Sequence, residues 1–459
     1  PMMIRRLALL VVSSSLLLGG AARACDAEVE ARIADLIGRM TLEEKVGQMC
    51  QFVGLEHLKA NMKRRGKVPT NNDAIGMYPG LKFGEIEEMV KRGEIGSFLH
   101  VVTAEEANRL QALAQESRLG IPLLIGIDAI HGNAMVRGTT VYPAPISLAA
   151  TFDDALVERI SRETALETRA HGSQWAFSPN LDVARDARWG RVGETFGEDP
   201  LLVGRLGAAM TRGLEGHGLP ADQRVISCIK HALGGSQPVN GLNGAPTDLS
   251  ERTIRTVFLP PYFESIRAGS GSLMTAHNEL NGVPCHANRW LVEDLMRAEG
   301  GFDGFVVSDW LDIYRVASVH FTAADRKEAV YQAIMAGLDM NMHGPEFFVD
   351  TISLVKEGRI PLSRIGESVR RILRAKFQVG LFDRPMVDVA AASQVTHTAA
   401  HQASALEAAR KAIVLLKNEA ALLPLDPQRA KRVLVTGPLA DTPAMLGDWV
   451  LPQPEGHVI

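Results

Sequence analysis

The chain has 459 residues, 46% hydrophobic and 22% charged, with a formal net charge of −4. That length supports a sizeable core and exceeds one ordinary domain, and a mildly acidic balance argues against nucleic acid or an anionic membrane as partner. Cys25, Cys50, Cys228 and Cys285 are too few and scattered for a disulfide framework, and the 13 histidines form no CxxC- or HExxH-type cluster that would mark a metal or cofactor site.

Residues 1–24 read as a secretory signal. Arg5 and Arg6 precede an apolar run from Leu7 to Leu18, and Ala22-Arg23-Ala24 supplies small residues for cleavage. The run is too short to span a bilayer. Acylation of Cys25 is a weaker alternative, because Ala22 stands where such a box usually has Leu. Without this segment, which carries three arginines and no acid, the net charge moves from −4 to −7. The mature protein is expected in a periplasm or secreted.

From there short apolar runs alternate with amphipathic segments. Strands are expected within 47–52, 96–101, 122–128, 175–180, 225–231, 271–278, 304–310 and 337–342. Thr41-x-x-Glu44, Thr103-x-x-Glu106 and Thr151-x-x-Asp154 look like capping boxes, and Gly120 and Gly172 like helix stops. Segment 54–93, with "KRRGK" and "TNN", reads as an insertion after the first strand. Alternation of this kind predicts an α/β fold with parallel strands: a (β/α)8 TIM-type barrel over residues 25–380, or a doubly wound open sheet. Polar residues gather at the C-terminal strand ends, at Asp128, Asn180, Lys230-His231, His277-Asn278 and Asp309. In a barrel those ends converge on one face, which favours the barrel. Residues 381–400 read as a linker, and 401–459 as the start of an α/β sandwich, with "KRVLVTGPLAD" as a strand entering a glycine turn.

Asp309 ends the run "GFVVSDW". At a barrel strand end a carboxylate can be nucleophile, base or ligand anchor; a capping Asp before a helix would give the same letters. Trp310 beside it suits stacking on a sugar, or ordinary packing. Lys230-His231 offers donors for hydroxyls but also fits a solvated turn. Asp128 is a hydroxyl acceptor or a cap, and His131 reads as structural. "RDARWGRVGETFGEDP" (185–200) packs four acids and three arginines around Trp189 with three glycines, a loop expected to hold internal salt bridges and able to offer an Arg fork to a polar ligand.

Five stretches occur in order: "LLIGIDAIHG", "FSPNLDVARDARWGRVGETFGEDP", "KHALGG", "GSLMTAHNELNGVPCHANRWL" and "GFDGFVVSDW". Together they resemble glycoside hydrolase family 3, in its β-glucosidase-like members, from about residue 35 to the C-terminus. The resemblance implies a barrel followed by an α/β sandwich, no cofactor, and a retaining exo-acting glycosidase on oligosaccharides or glucosides. It implies Asp309 as nucleophile, Asp128, Arg191, Lys230 and His231 as ligands of the glycosyl unit, and Trp310 as its aromatic lining. Arg191 and Lys230 are then expected to keep Asp309 ionised. The acid/base of many members lies in the sandwich beyond residue 459. Leu242 stands near the place of a sugar-binding Arg, His277 where a Tyr is frequent, and the Asp-His dyad of the hexosaminidase branch is missing from "GGSQPVNGLN". Two alternatives stay open: a β-xylosidase or mixed-specificity enzyme, and an inactive or sugar-binding protein lacking its proton donor. An aldolase or dehydrogenase barrel has less support, since neither a Schiff-base context nor a GxGxxG loop is present.

Overall fold

The computed structural model describes residues 27–64, 78, 81–440 and 442–454. The signal-type segment, Cys25 and most of the "KRRGK" and "TNN" stretch lie outside the described residues. No helix among the described residues is long and apolar enough to cross a membrane.

Each expected barrel strand forms, six of them shortened and β1 and β5 reaching one residue past the expected end: β1 (Cys50–Val53), β2 (Ser97–Leu99), β3 (Leu124–Ile127), β4 (Trp175–Ala176), β5 (Ile226–Ala232), β6 (Ser272–Thr275), then, past a hairpin, β9 (Phe305–Val307) and β10 (Asn341–Met342). All pair in parallel in the order β10-β1-β2-β3-β4-β5-β6-β9. A bridge between Val307 and Met340, with Ser308 N donating to Met340 O at 3.0 Å, joins the two ends of that row. The ring is therefore closed, and the open-sheet alternative falls away. The hairpin β7 (Glu279–Leu280) and β8 (Val283–Pro284) was not anticipated. Its Asn281-Gly282 turn has φ of +53 and +80 at the two central residues, the backbone a two-residue hairpin loop requires.

Side chains fill the ring. Trp175 meets Phe177 and Phe305 edge-on, at 4.7 and 4.9 Å between ring centres, and its indole N–H donates to Ser272 Oγ at 2.7 Å. Beneath, helix Leu362–Gln378 places the buried Lys376 ammonium on Gln48 Oε1, Gly96 O and Pro122 O, at 2.6, 2.9 and 2.7 Å. These bonds fix the N-terminal end of the barrel as a stability element, as is common for that face.

Capping followed the side chains in part. Thr41 and Glu44 form a reciprocal box. Thr103 caps its helix, yet Glu106 accepts from Glu56 N at 3.0 Å instead of closing the box. At the third site Asp153, two residues on, is the cap rather than Thr151. The carboxylate is the stronger acceptor for a helix N-terminus.

Beyond the barrel, segment 381–400 carries the helix Val389–Val395, and Val387 exchanges two hydrogen bonds with Asn108, at 2.8 and 2.9 Å. After helix Ala399–Lys411 no strand forms among the described residues. The strand expected in "KRVLVTGPLAD" is absent: Val433, Leu434 and Val435 are exposed, and a strand without a neighbour leaves its backbone unpaired. The chain then returns to the barrel's upper face, where Leu451 N donates to Ala134 O at 3.0 Å.

Candidate active site

Parallel strands of a closed ring all end on one face, so residues far apart in sequence meet there. Asp128 follows β3, Lys230 and His231 lie in β5, and Asp309 sits two residues past β9; all four are buried. Asp128 Oδ1 accepts from Lys230 Nζ at 2.7 Å, and Oδ2 lies 2.8 Å from His100 Nε2. Burial pushes the Asp128 carboxyl up, but Lys230 and His100 outweigh it and hold the group at about 2.

A second network runs beside the first. His231 Nδ1 lies 2.8 Å from Asp182 Oδ2, and His231 Nε2 lies 3.2 Å from Arg191 Nη2. Arg191 also forks onto Glu194 at 2.8 and 2.9 Å, the internal salt bridge expected of that loop. Burial, then Arg191 and Lys230, press the His231 imidazole well below its ordinary value, so the ring is neutral. Burial also raises the Asp182 carboxyl to about 7. One proton is thus shared between Asp182 and Nδ1, leaving Nε2 to accept from Arg191.

Asp309 lies between the networks. Its Oδ1 accepts from Trp310 N at 2.6 Å, and its own N–H donates to His286 Nε2 at 2.9 Å. Oδ2 lies 3.0 Å from His277 Nε2 and 3.6 Å from His231 Nε2, but neither contact is aligned as a hydrogen bond. Lys230 donates its hydrogen bond to Asp128 rather than to this carboxylate, and the ring nitrogen of His277 lies closer to it than that of His231. The half-buried Trp310 ring stands edge-on to His343 at 4.4 Å and stacks towards His100 at 6.5 Å. The six residues singled out in the sequence therefore share one face. A small cleft lies between Arg191, His231, Asn243 and His277.

Several members of the site carried no usable sequence signal. His100, Asp182 and Asp312 look like isolated polar residues, and only folding joins them to Asp128, His231 and His277. Trp449 comes from the far end of the chain, its ring 5.5 Å from Lys230 Nζ. His131 holds that returning segment, with Nε2 2.7 Å from Asp448 O and Nδ1 2.7 Å from Tyr142 O. Leu242 is exposed. His277, Asp309 and Asp312 offer three ligand-type atoms within 4.8 Å, but Asp312 Oδ2 and His277 Nδ1 already pair at 2.6 Å.

A closed parallel barrel thus gathers a buried carboxylate, basic side chains and an indole at one mouth, the arrangement of a candidate active site. The chain belongs to glycosyl hydrolase family 3: the N-terminal domain of that family matches residues 41–375 and its C-terminal domain residues 413–457. It is 39% identical over 371 residues to a beta-xylosidase of Formosa agariphila, covering 77% of this chain and 51% of that protein. It is 33% identical over 433 residues to a periplasmic beta-glucosidase of Salmonella typhimurium, covering 92% and 52%. The beta-glucosidase of Listeria innocua, solved with glucose, superposes with a TM-score of 0.79 at 33% identity, over 92% of this chain and 56% of that one. The chain thus spans about half the length of these relatives.

Proposed function

We propose that this chain carries the barrel (residues 25–380) of a retaining, exo-acting β-glycosidase that releases terminal β-linked sugars, glucosides foremost, from oligosaccharides. Asp309 is the nucleophile. One of its oxygens attacks C1 as the glycosidic C–O bond breaks, and water later cleaves the glycosyl ester. Asp128, Arg191, Lys230 and His231 hold the sugar hydroxyls, and Trp310 lines the ring's apolar face. Each Asp128 oxygen has one protein partner and keeps lone-pair capacity for a hydroxyl. The carrying observation is the buried Asp309 Oδ2, which has no aligned donor and stands at the mouth of the ring.

Such a reaction also needs a carboxylic acid about 5–5.5 Å from the nucleophile. The nearby acids Asp182 and Asp312 are each taken by a histidine, at 2.8 and 2.6 Å, so neither serves. The donor is expected in the sandwich domain that begins near residue 401. A second reading, β-xylosidase or mixed specificity, is favoured by the 39% identity to a beta-xylosidase. Export to a periplasm is supported by the Arg5-Arg6 leader and by the periplasmic relative.

Treatment with a 2-deoxy-2-fluoro glucoside and peptide mapping tests the nucleophile. An adduct on Asp309 is expected; an adduct elsewhere, or none, overturns the assignment and leaves a sugar-binding barrel. Rates on nitrophenyl glucoside and xyloside then separate the two substrate readings.

A further inference from the structure

We propose that His277, clamped by Asp312, is the positioning residue that presents a fixed positive charge to the nucleophile Asp309 and so supports its carboxylate form through the reaction. The inference rests on Asp309 as nucleophile. It assigns work to a histidine and an aspartate that the reaction above does not use.

The geometry is specific. His277 lies two residues past β6, and the hairpin that follows is anchored by Thr247 N donating to Glu279 O at 2.8 Å and by Asn281, which exchanges bonds with Leu249 at 2.7 and 2.9 Å. From this support the ring places Nδ1 2.6 Å from Asp312 Oδ2 and Nε2 3.0 Å from Asp309 Oδ2. A neutral imidazole has one N–H and one lone pair and carries no net charge. Two carboxylate oxygens at 2.6 and 3.0 Å from the two ring nitrogens favour the imidazolium, by a hydrogen bond at Nδ1 and by charge at the unaligned Nε2 contact. Asp312 is fully buried and braced by Arg315 Nη1 at 3.0 Å, so it neither moves away nor gains water as a partner.

The other charged and titratable neighbours point the same way. His286 Nε2 accepts the Asp309 N–H at 2.9 Å, so that nitrogen carries a lone pair, and burial lowers this histidine to about 4. His231 stacks 6.0 Å from His277 and is neutral. His320 is bonded to Glu279 at 2.9 Å. Arg191, paired with Glu194, opposes a charge on His277, and burial opposes it more; Asp309 and Asp312 outweigh both and raise the His277 imidazole above its ordinary value. Among these groups His277 is the cation that touches Asp309.

Two consequences follow for the reaction. The imidazolium presents a positive charge 3.0 Å from the carboxylate oxygen that attacks. It also stabilises the carboxylate when the ester C–O bond breaks and the electron pair returns to Asp309.

The test uses 2-deoxy-2-fluoroglucosyl fluoride. Asp309 displaces fluoride with no proton required, so the result does not depend on the acid/base. Inactivation rate is followed against pH for the wild type, His277→Tyr, which keeps a donor without charge, and Asp312→Asn. In both variants the acidic limb is expected to move up by about one pH unit, roughly a tenfold slower reaction below the limb, with the plateau changed far less. An unmoved limb in a folded His277→Tyr protein overturns the proposal. No adduct in the wild type overturns the nucleophile reading instead. If neither variant folds, the wild type decides by nitrogen NMR of labelled histidine. His277 protonated on both nitrogens at about pH 7 supports the proposal, and a neutral ring there, close to the ordinary behaviour of histidine, sinks it.

Discussion

Lys230 gives its ammonium to Asp128, 2.7 Å away, and not to Asp309. Both groups are buried, so the pair is scarcely screened by water, and each is the other's main compensation. Lys230→Met fills similar space and leaves Asp128 with His100 alone. Urea unfolding is expected to show a loss of about 3–5 kcal/mol, the usual effect of breaking a buried pair from one side. A loss under about 1 kcal/mol, typical of exposed pairs, would show that the pair is solvated in solution.

The same carboxylate ties stability to pH. Asp128 and Asp339 are both held at about 2, below the ordinary value. For Asp339, burial pushes up while Arg364, Arg297 and Arg371 push down more strongly. A depressed folded value contributes stability that is fully present above the unfolded value of about 3.9 and is lost as pH falls through about 2. Urea midpoints are therefore expected to fall steeply between about pH 4 and pH 2. Asp339→Asn should flatten that fall while lowering stability at neutral pH, because three arginines lose their shared anion.

Arg191 holds Glu194 through two parallel bonds, at 2.8 and 2.9 Å, and reaches His231 with the same Nη2 atom. Lysine keeps the charge but not the fork. Arg191→Lys is expected to lower kcat/KM by about 10- to 100-fold, the worth of one charged hydrogen bond. Thermal stability should change far less. An unchanged kcat/KM would remove Arg191 from the binding set.

Gly213 lies in helix Pro200–Glu215, where a methyl group would come 2.4 Å from Glu158 O and 2.6 Å from Ser161 Cβ of the neighbouring helix Asp154–Ala170. Helix propensity alone predicts that alanine stabilises here, by about 1 kcal/mol. The close approach of two helices predicts the opposite, a loss of about 1–3 kcal/mol from overpacking. Thermal unfolding of Gly213→Ala decides between the local and the tertiary term, and the loss is expected.

The eight barrel strands were legible because each is a buried apolar run, and burial on both faces leaves a signature that needs no partner to be seen. The polar residues at their ends, Asp128, Lys230, His231 and Asp309, were legible for the same reason, since each interrupts such a run. The hairpin at Asn281-Gly282 was legible too, from its turn dipeptide, and was missed because its two-residue strands are too short to show alternation. "KRVLVTGPLAD" shows the converse: a run with every local mark of a strand stays unpaired when no neighbouring strand lies beside it.

The alternation of strands and helices and the polar residues that end the strands thus belong to the sequence, because hydrophobic pattern and residue type are local properties. Which charge meets which does not. That Lys230 serves Asp128, that Asp182 holds His231, and that Asp312 turns His277 onto Asp309 are consequences of ring closure, which brings residues 35 to 102 positions apart within hydrogen-bond distance. Electrostatics at those distances depends on position in space, and only the folded chain supplies it.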